Sequence, residues 1–69
     1  MKKKIMIEGM SCKNCVKHVE EALGELNAVS HVEVNLEGKY AVVETTADNS
    51  ELEAAIDDAG YDVVGIENL

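Results

Sequence analysis

The spacing of apolar residues alternates between periods of about two and about 3.6 along the chain, and that succession restricts the fold more than any other feature. Ile5 and Ile7 alternate with Lys4, Met6 and Glu8, the pattern of a strand over Lys3–Glu8 with one buried face. Gly9 breaks it, and Met10 to Asn14 reads as a loop ending at an N-cap, Ser11 or Asn14. From Cys15 to Leu26, the residues Val16, Val19, Ala22, Leu23 and Leu26 take helical spacing, while Lys17, His18, Glu20, Glu21 and Glu25 fall elsewhere on the wheel. After Asn27, Val32, Val34 and Leu36 alternate with polar residues in a second strand, and Glu37-Gly38-Lys39 turns the chain into a third, Tyr40–Thr45. Ser50 and Glu53 form a capping-box pattern for a second helix with Leu52, Ala55, Ile56 and Ala59 as its apolar stripe. Gly60 ends that helix, and Tyr61–Ile66 is a last strand.

The order β-α-β-β-α-β predicts an α+β, ferredoxin-like fold: a four-stranded antiparallel sheet with both helices on one face. Residues 1–69 hold one such domain, too small for a large active-site cavity. Chain direction then places the Gly9–Asn14 loop, the Glu37–Lys39 hairpin and the Gly60-Tyr61 turn at one end of the sheet, so Tyr61 and Lys39 are expected near the loop.

Charge and composition exclude several roles. A net charge of -8, with Tyr40 and Tyr61 as the only aromatics, argues against nucleic-acid binding, which wants cations and stacking rings. Five of the six lysines lie in the first seventeen residues beside a single acid, and the rest of the chain carries thirteen acids against Lys39. Such asymmetry is either a solvated surface or a docking face. Lys2 to Lys4 lead into Ile5-Met6-Ile7-Glu8, which leaves no apolar stretch for a secretory signal, and no segment is long enough to span a membrane. The expected compartment is the cytoplasm, where two nearby cysteines serve redox or metal chemistry more often than a structural disulfide.

Cys12-Lys13-Asn14-Cys15 is a C-x-x-C pair at a strand-to-helix junction. Free backbone N–H groups at the helix start, together with Lys13, favour the Cys15 thiolate. Haem attachment needs His where Val16 stands, and His18 and His31 do not complete a zinc-finger spacing. An iron–sulfur cluster wants four cysteines. A thioredoxin-type dithiol remains as an enzymatic alternative, although the chain is short for that fold and has no proline or tryptophan. Two soft ligands on an open loop suit Cu(I) before Zn(II), and an open site lets a partner thiolate attack.

Gly9-Met10-Ser11-Cys12-Lys13-Asn14-Cys15 resembles the Gly-Met-x-Cys-x-x-Cys signature of heavy-metal-associated domains, and the likeness extends over nearly the whole chain to Gly60-Tyr61. It looks most like free bacterial copper chaperones. The resemblance implies a non-enzymatic carrier in which Cys12 and Cys15 bind one Cu(I) and pass it to the metal-binding domain of a copper-transporting P-type ATPase. It also implies that Zn(II), Hg(II) and Ag(I) bind in vitro. Ser11 before the first cysteine and Tyr61 after Gly60 match the bacterial copper group, whereas zinc and cadmium domains often carry Asp at the first place and eukaryotic relatives Lys at the second. Mercury-binding relatives of the periplasm bear a signal peptide, absent here.

Met10 is expected to pack beneath the loop, as its counterpart does in the family. His18, one turn beyond Cys15, is helix surface or a third ligand under zinc or in a bridged dimer, and His31 is surface at the far end. Tyr61 is core packing or, by the resemblance, a shield for the metal loop. Lys13, Lys17 and Lys39 offset the charge of a two-thiolate Cu(I) site or are merely solvated. A copper-bridged homodimer is expected from the open geometry. A thiol–disulfide oxidoreductase and a module of a larger ATPase or reductase are the alternative readings; the start at Met1 favours a free chaperone over the latter.

Overall fold

In a computed structural model covering residues 1–69, strand β1 (Lys2–Glu8) lies in the interior of a four-stranded antiparallel sheet. It is followed by helix α1 (Lys13–Gly24), strands β2 (Val29–Asn35) and β3 (Tyr40–Thr45), helix α2 (Asn49–Asp58) and strand β4 (Asp62–Asn68), in the sheet order β2-β3-β1-β4. The ferredoxin-like arrangement expected from the periodicity is therefore the one observed. No helix is long and apolar enough to cross a membrane.

Alternation decides which side each strand residue takes. Ile5 and Ile7 on β1 and Ala41 and Val43 on β3 turn inward, and Val19 and Leu23 of α1 with Leu52 and Ile56 of α2 cover them in a single core. Both helices thus lie on one face, because only one face of the sheet is continuously apolar. On the opposite face the Lys4 ammonium sits 4.5 Å from the centre of the Tyr40 ring. Edge strand β4 carries a bulge opposite Met6 and Ile7, which leaves Val64 exposed and interrupts the free edge.

The same alternation turns Lys3 inward, where it is only 6 % exposed. Its Nζ donates to the Ala47 carbonyl at 3.0 Å and to Asn49 Oδ1 at 2.9 Å, tying the beginning of β1 to the N-terminus of α2. Thr45 Oγ1, beside it on β3, donates to the Ala28 carbonyl and accepts from the Ala47 N–H, so the core holds no unpaired polar side chain.

Two local expectations are corrected. Cys12 occupies the N-cap of α1 without a side-chain bond, and neither Ser11 nor Asn14 does so, because the chain leaves β1 early enough for Lys13 to be the first helical residue. Asp48 caps α2 by accepting from the Glu51 N–H at 3.0 Å, which places Ser50 and Glu53 inside the helix and not in a capping box. The β2–β3 hairpin turns at Glu37-Gly38-Lys39 as expected, with Lys39 in the left-handed region (φ 57°); the Lys39 carbonyl accepts from the Ile7 N–H at 2.9 Å and joins the hairpin to β1. Gly60, with φ 94°, does end α2 as expected.

Candidate metal centre

The loop between β1 and α1 is shaped by two residues that carry no polar chemistry. Gly9 takes φ 99°, and a β-carbon there would stand 3.3 Å from Tyr61 Cδ1, so glycine allows both the turn and the approach of the tyrosine ring. Met10 is buried in the core, anchoring the loop from beneath and leaving its thioether away from solvent. Ser11 and Cys12 are then exposed, and Cys12, extended at φ -157° and ψ 173°, accepts from the N–H groups of Cys15 and Val16 to start α1.

That geometry brings the Cys12 and Cys15 sulfurs to 3.6 Å, with both cysteines free. With metal–thiolate bonds of about 2.3 Å, a single ion can bridge sulfurs so spaced at an S–metal–S angle of about 100°. Linear coordination needs them roughly 1 Å further apart, a movement within reach of an exposed side chain. No group of three or more His, Cys, Asp or Glu side chains gathers here or elsewhere. The pair is an open two-thiolate site.

The two thiols are not equivalent. Cys15 is lowered from an ordinary 9.0 to about 6, first by the hydroxyl of Tyr61, then by the Ser11 backbone and the Cys12 side chain, against the opposing effect of burial. Ser11 Oγ, 3.9 Å from Cys15 Sγ, adds to the lowering. Tyr61 is raised in turn, because its proton is held by Cys15 and its anion would face two sulfurs. Lys13, expected to favour the thiolate, is not among the groups that lower it. At neutral pH Cys15 is mainly thiolate, the form that binds soft metals.

Residues 4–62 match the heavy-metal-associated domain family. The chain belongs to that family. It is 48 % identical over 64 residues to copper chaperone CopZ of Bacillus subtilis (strain 168), covering 88 % of this chain and 93 % of that protein. It is 40 % identical over 63 residues to copper-transporting ATPase 1 of Rattus norvegicus, covering 87 % of this chain and 4 % of that protein. Among solved structures, one of a CopZ metallochaperone superposes with a TM-score of 0.88 at 37 % identity, covering 93 % of this chain and all of that one.

In this heavy-metal-associated domain the remaining candidate residues separate clearly. Tyr61 is half-buried against the core, as expected for core packing, and its hydroxyl acts on Cys15. His18 is exposed on α1 and adds no third ligand beside the sulfurs in this structure; its Nδ1 meets the Tyr61 hydroxyl at 3.3 Å. Lys13 and Lys17 are exposed on α1, and Lys39 lies at the same end of the sheet through its bond to Ile7. His31 is exposed on β2 near Glu44, away from the loop. Sequence reasoning missed Ser11, whose backbone and hydroxyl both act on Cys15; its position four residues earlier, just before a helix start, was the available signal. The His18–Tyr61 contact spans 43 residues and had none.

Proposed function

We propose that this domain is a non-enzymatic carrier of Cu(I), held by Cys12 and Cys15 and handed by thiolate exchange to a metal-binding domain of a copper-transporting P-type ATPase. The observation that carries this reading is the exposed pair of sulfurs 3.6 Å apart with no third ligand beside them. Such a site satisfies an ion that tolerates low coordination and leaves Zn(II), which prefers four ligands, undersupplied. Transfer begins when a thiolate of the acceptor adds to the bound ion, giving three-coordinate Cu(I); one donor sulfur then leaves, and the second follows as the acceptor's other thiolate adds. No electron moves and no bond of the protein is made or broken beyond the metal–sulfur bonds.

The likeness to a segment of a copper-transporting ATPase supports an acceptor built like the donor, between which exchange is close to balanced in free energy. The likeness to a copper chaperone over 93 % of that protein supports a free carrier. Reduced thiols fit the cytoplasm. The same exposed sulfurs in a second copy would complete four-thiolate coordination, so a copper-bridged homodimer is part of the proposal.

An anaerobic titration of the reduced protein against a chromophoric Cu(I) chelator, with a parallel Zn(II) titration against a zinc indicator, tests the reading. Tight uptake of one Cu(I) per chain, much weaker Zn(II) and loss of Cu(I) uptake in Cys15→Ser are expected. Equal affinity for the two ions, or unchanged uptake in Cys15→Ser, would refute it.

A further inference from the structure

Charge at the cysteine-bearing end of the domain is arranged against the interest of a single copy. α1 packs along β2 and α2 along β4, the two edges of the sheet order β2-β3-β1-β4. The antiparallel chain brings the start of α1, the β2–β3 hairpin, the end of α2 and the start of β4 to this one end. On the α1–β2 side stand Lys13 and Lys17 of α1 and Lys39 of the hairpin, three lysines against Glu37 alone, a net +2. On the α2–β4 side stand Asp57 and Asp58 in the last turn of α2, Asp62 at the start of β4 and Glu8 at the end of β1, four acids and no lysine, a net -4. All of these side chains are exposed.

Each half opposes local stability. A helix N-terminus is the positive end of its dipole, yet α1 opens on Lys13 with no acid in its first turn; a C-terminus is the negative end, yet α2 closes on Asp57 and Asp58 with no base in its last. Glu8 and Asp62 lie directly opposite each other across β1 and β4, where like charges repel. Nothing within the chain relieves them, since its one ion pair joins the Met1 amino group to Glu44 at the far end. A second copy can, because each half is the complement of the other.

We propose that this end is a self-complementary docking surface: in the copper-bridged homodimer the lysine half of one copy lies against the carboxylate half of the other. This rests on the reading of Cys12 and Cys15 as a carrier site. The loop that holds the sulfurs runs from β1 to α1 and so crosses the boundary between the halves. Two copies that share copper there meet end to end about a two-fold axis through the metal. An axis lying across the boundary sets lysines on lysines and carboxylates on carboxylates, whereas an axis lying along it sets each half on its opposite. Charge selects the second arrangement, with α1 of each copy against α2 and β4 of the other. A two-fold makes every such contact twice, so a modest attraction per contact counts double.

The full-length reduced protein is loaded with Cu(I), uptake being read against a chromophoric chelator, and its dimerisation is measured by anaerobic sedimentation equilibrium at about pH 7.5, where lysines and carboxylates are charged. The variants are Lys17→Glu, Asp57→Lys and the two combined. Both positions are exposed, and Asp57→Lys removes an acid from a helix C-terminus, so stability to urea is expected to hold or rise. Each single reversal turns attraction into repulsion at two contacts per dimer and should raise the dimer dissociation constant roughly tenfold. The combined variant exchanges the signs between the halves, restores the attraction and should return to within about threefold of wild type. Only the arrangement of unlike halves predicts that rescue. Raising sodium chloride from about 0.05 M to about 0.5 M should also weaken the wild-type dimer roughly tenfold. A dimer unaffected or tightened by salt, unchanged by the single reversals, or weakened further in the combined variant would overturn the proposal, as would wild-type protein that loads Cu(I) and stays monomeric at every loading. Wild-type protein that takes up no Cu(I) would overturn the carrier reading and the proposal together, and that failure is visible at loading, before sedimentation.

Discussion

Deleting one oxygen, in Tyr61→Phe, should change the ionisation of a sulfur on another element. Cys15 stands at about 6 instead of 9.0, and the Tyr61 hydroxyl is the largest of the influences that lower it. Those influences share a displacement of three units, so losing the first among them raises Cys15 by about one unit, the order expected when a charge-assisted hydrogen bond is lost. At pH 6.5 the thiolate fraction then drops from roughly three quarters to roughly one quarter, and alkylation by iodoacetamide slows about threefold. Above pH 9 both proteins are ionised and the difference vanishes, or reverses slightly because the less acidic thiolate is the better nucleophile. The assay is the pH–rate profile, with thiolate absorbance near 240 nm as a second probe, both in a Cys12→Ser background so that one thiol reacts; losing the Cys12 thiol moves both profiles together, and the spacing between them carries the test. Superimposable profiles for Tyr and Phe at position 61 would refute the assignment of the shift to the hydroxyl.

The lowered Cys15 also makes stability depend on pH in a definite direction. Its folded value of about 6 lies below its ordinary 9.0, so ionisation favours the folded chain; the contribution is complete above about pH 9, shrinks as the pH falls and is gone below about 6. The difference in urea midpoint between the metal-free wild type and Cys15→Ser should widen from pH 6 to pH 9, and a constant difference would contradict the linkage. Lys3→Met should cost about 1–3 kcal/mol, because it strands the buried Ala47 carbonyl, and should leave Cu(I) uptake intact; urea denaturation measures the first and chelator competition the second. Gly9→Ala should cost about 1–3 kcal/mol of stability for its positive φ. By pressing on the Tyr61 ring it should also move the Cys15 alkylation profile to higher pH, and a destabilised variant with a wild-type profile would separate the ring's position from the thiol's acidity.

The order of elements, the inward faces of β1 and β3 and the apolar stripes of both helices were legible because each is written in the spacing of nearby residues, where burial on one face imposes a period. The cysteine pair was legible for the same reason: four consecutive residues at a helix start carry it. The caps were less so. Several residues near each helix start are chemically able to cap, and the path out of the preceding strand selects among them, Cys12 for α1 and Asp48 for α2. Lys3 shows the limit of periodicity. Alternation alone put it among Ile5 and Ile7, but only the packing of α2 supplies the two acceptors that make a buried ammonium tolerable. The same distinction runs through the site. The chain itself determined which two thiols stand together at the start of α1; the tertiary structure decided how acidic Cys15 is and what meets Tyr61 beside it, because Tyr61 and His18 meet across 43 residues and hydrogen bonds act over ångströms of space, not positions in sequence.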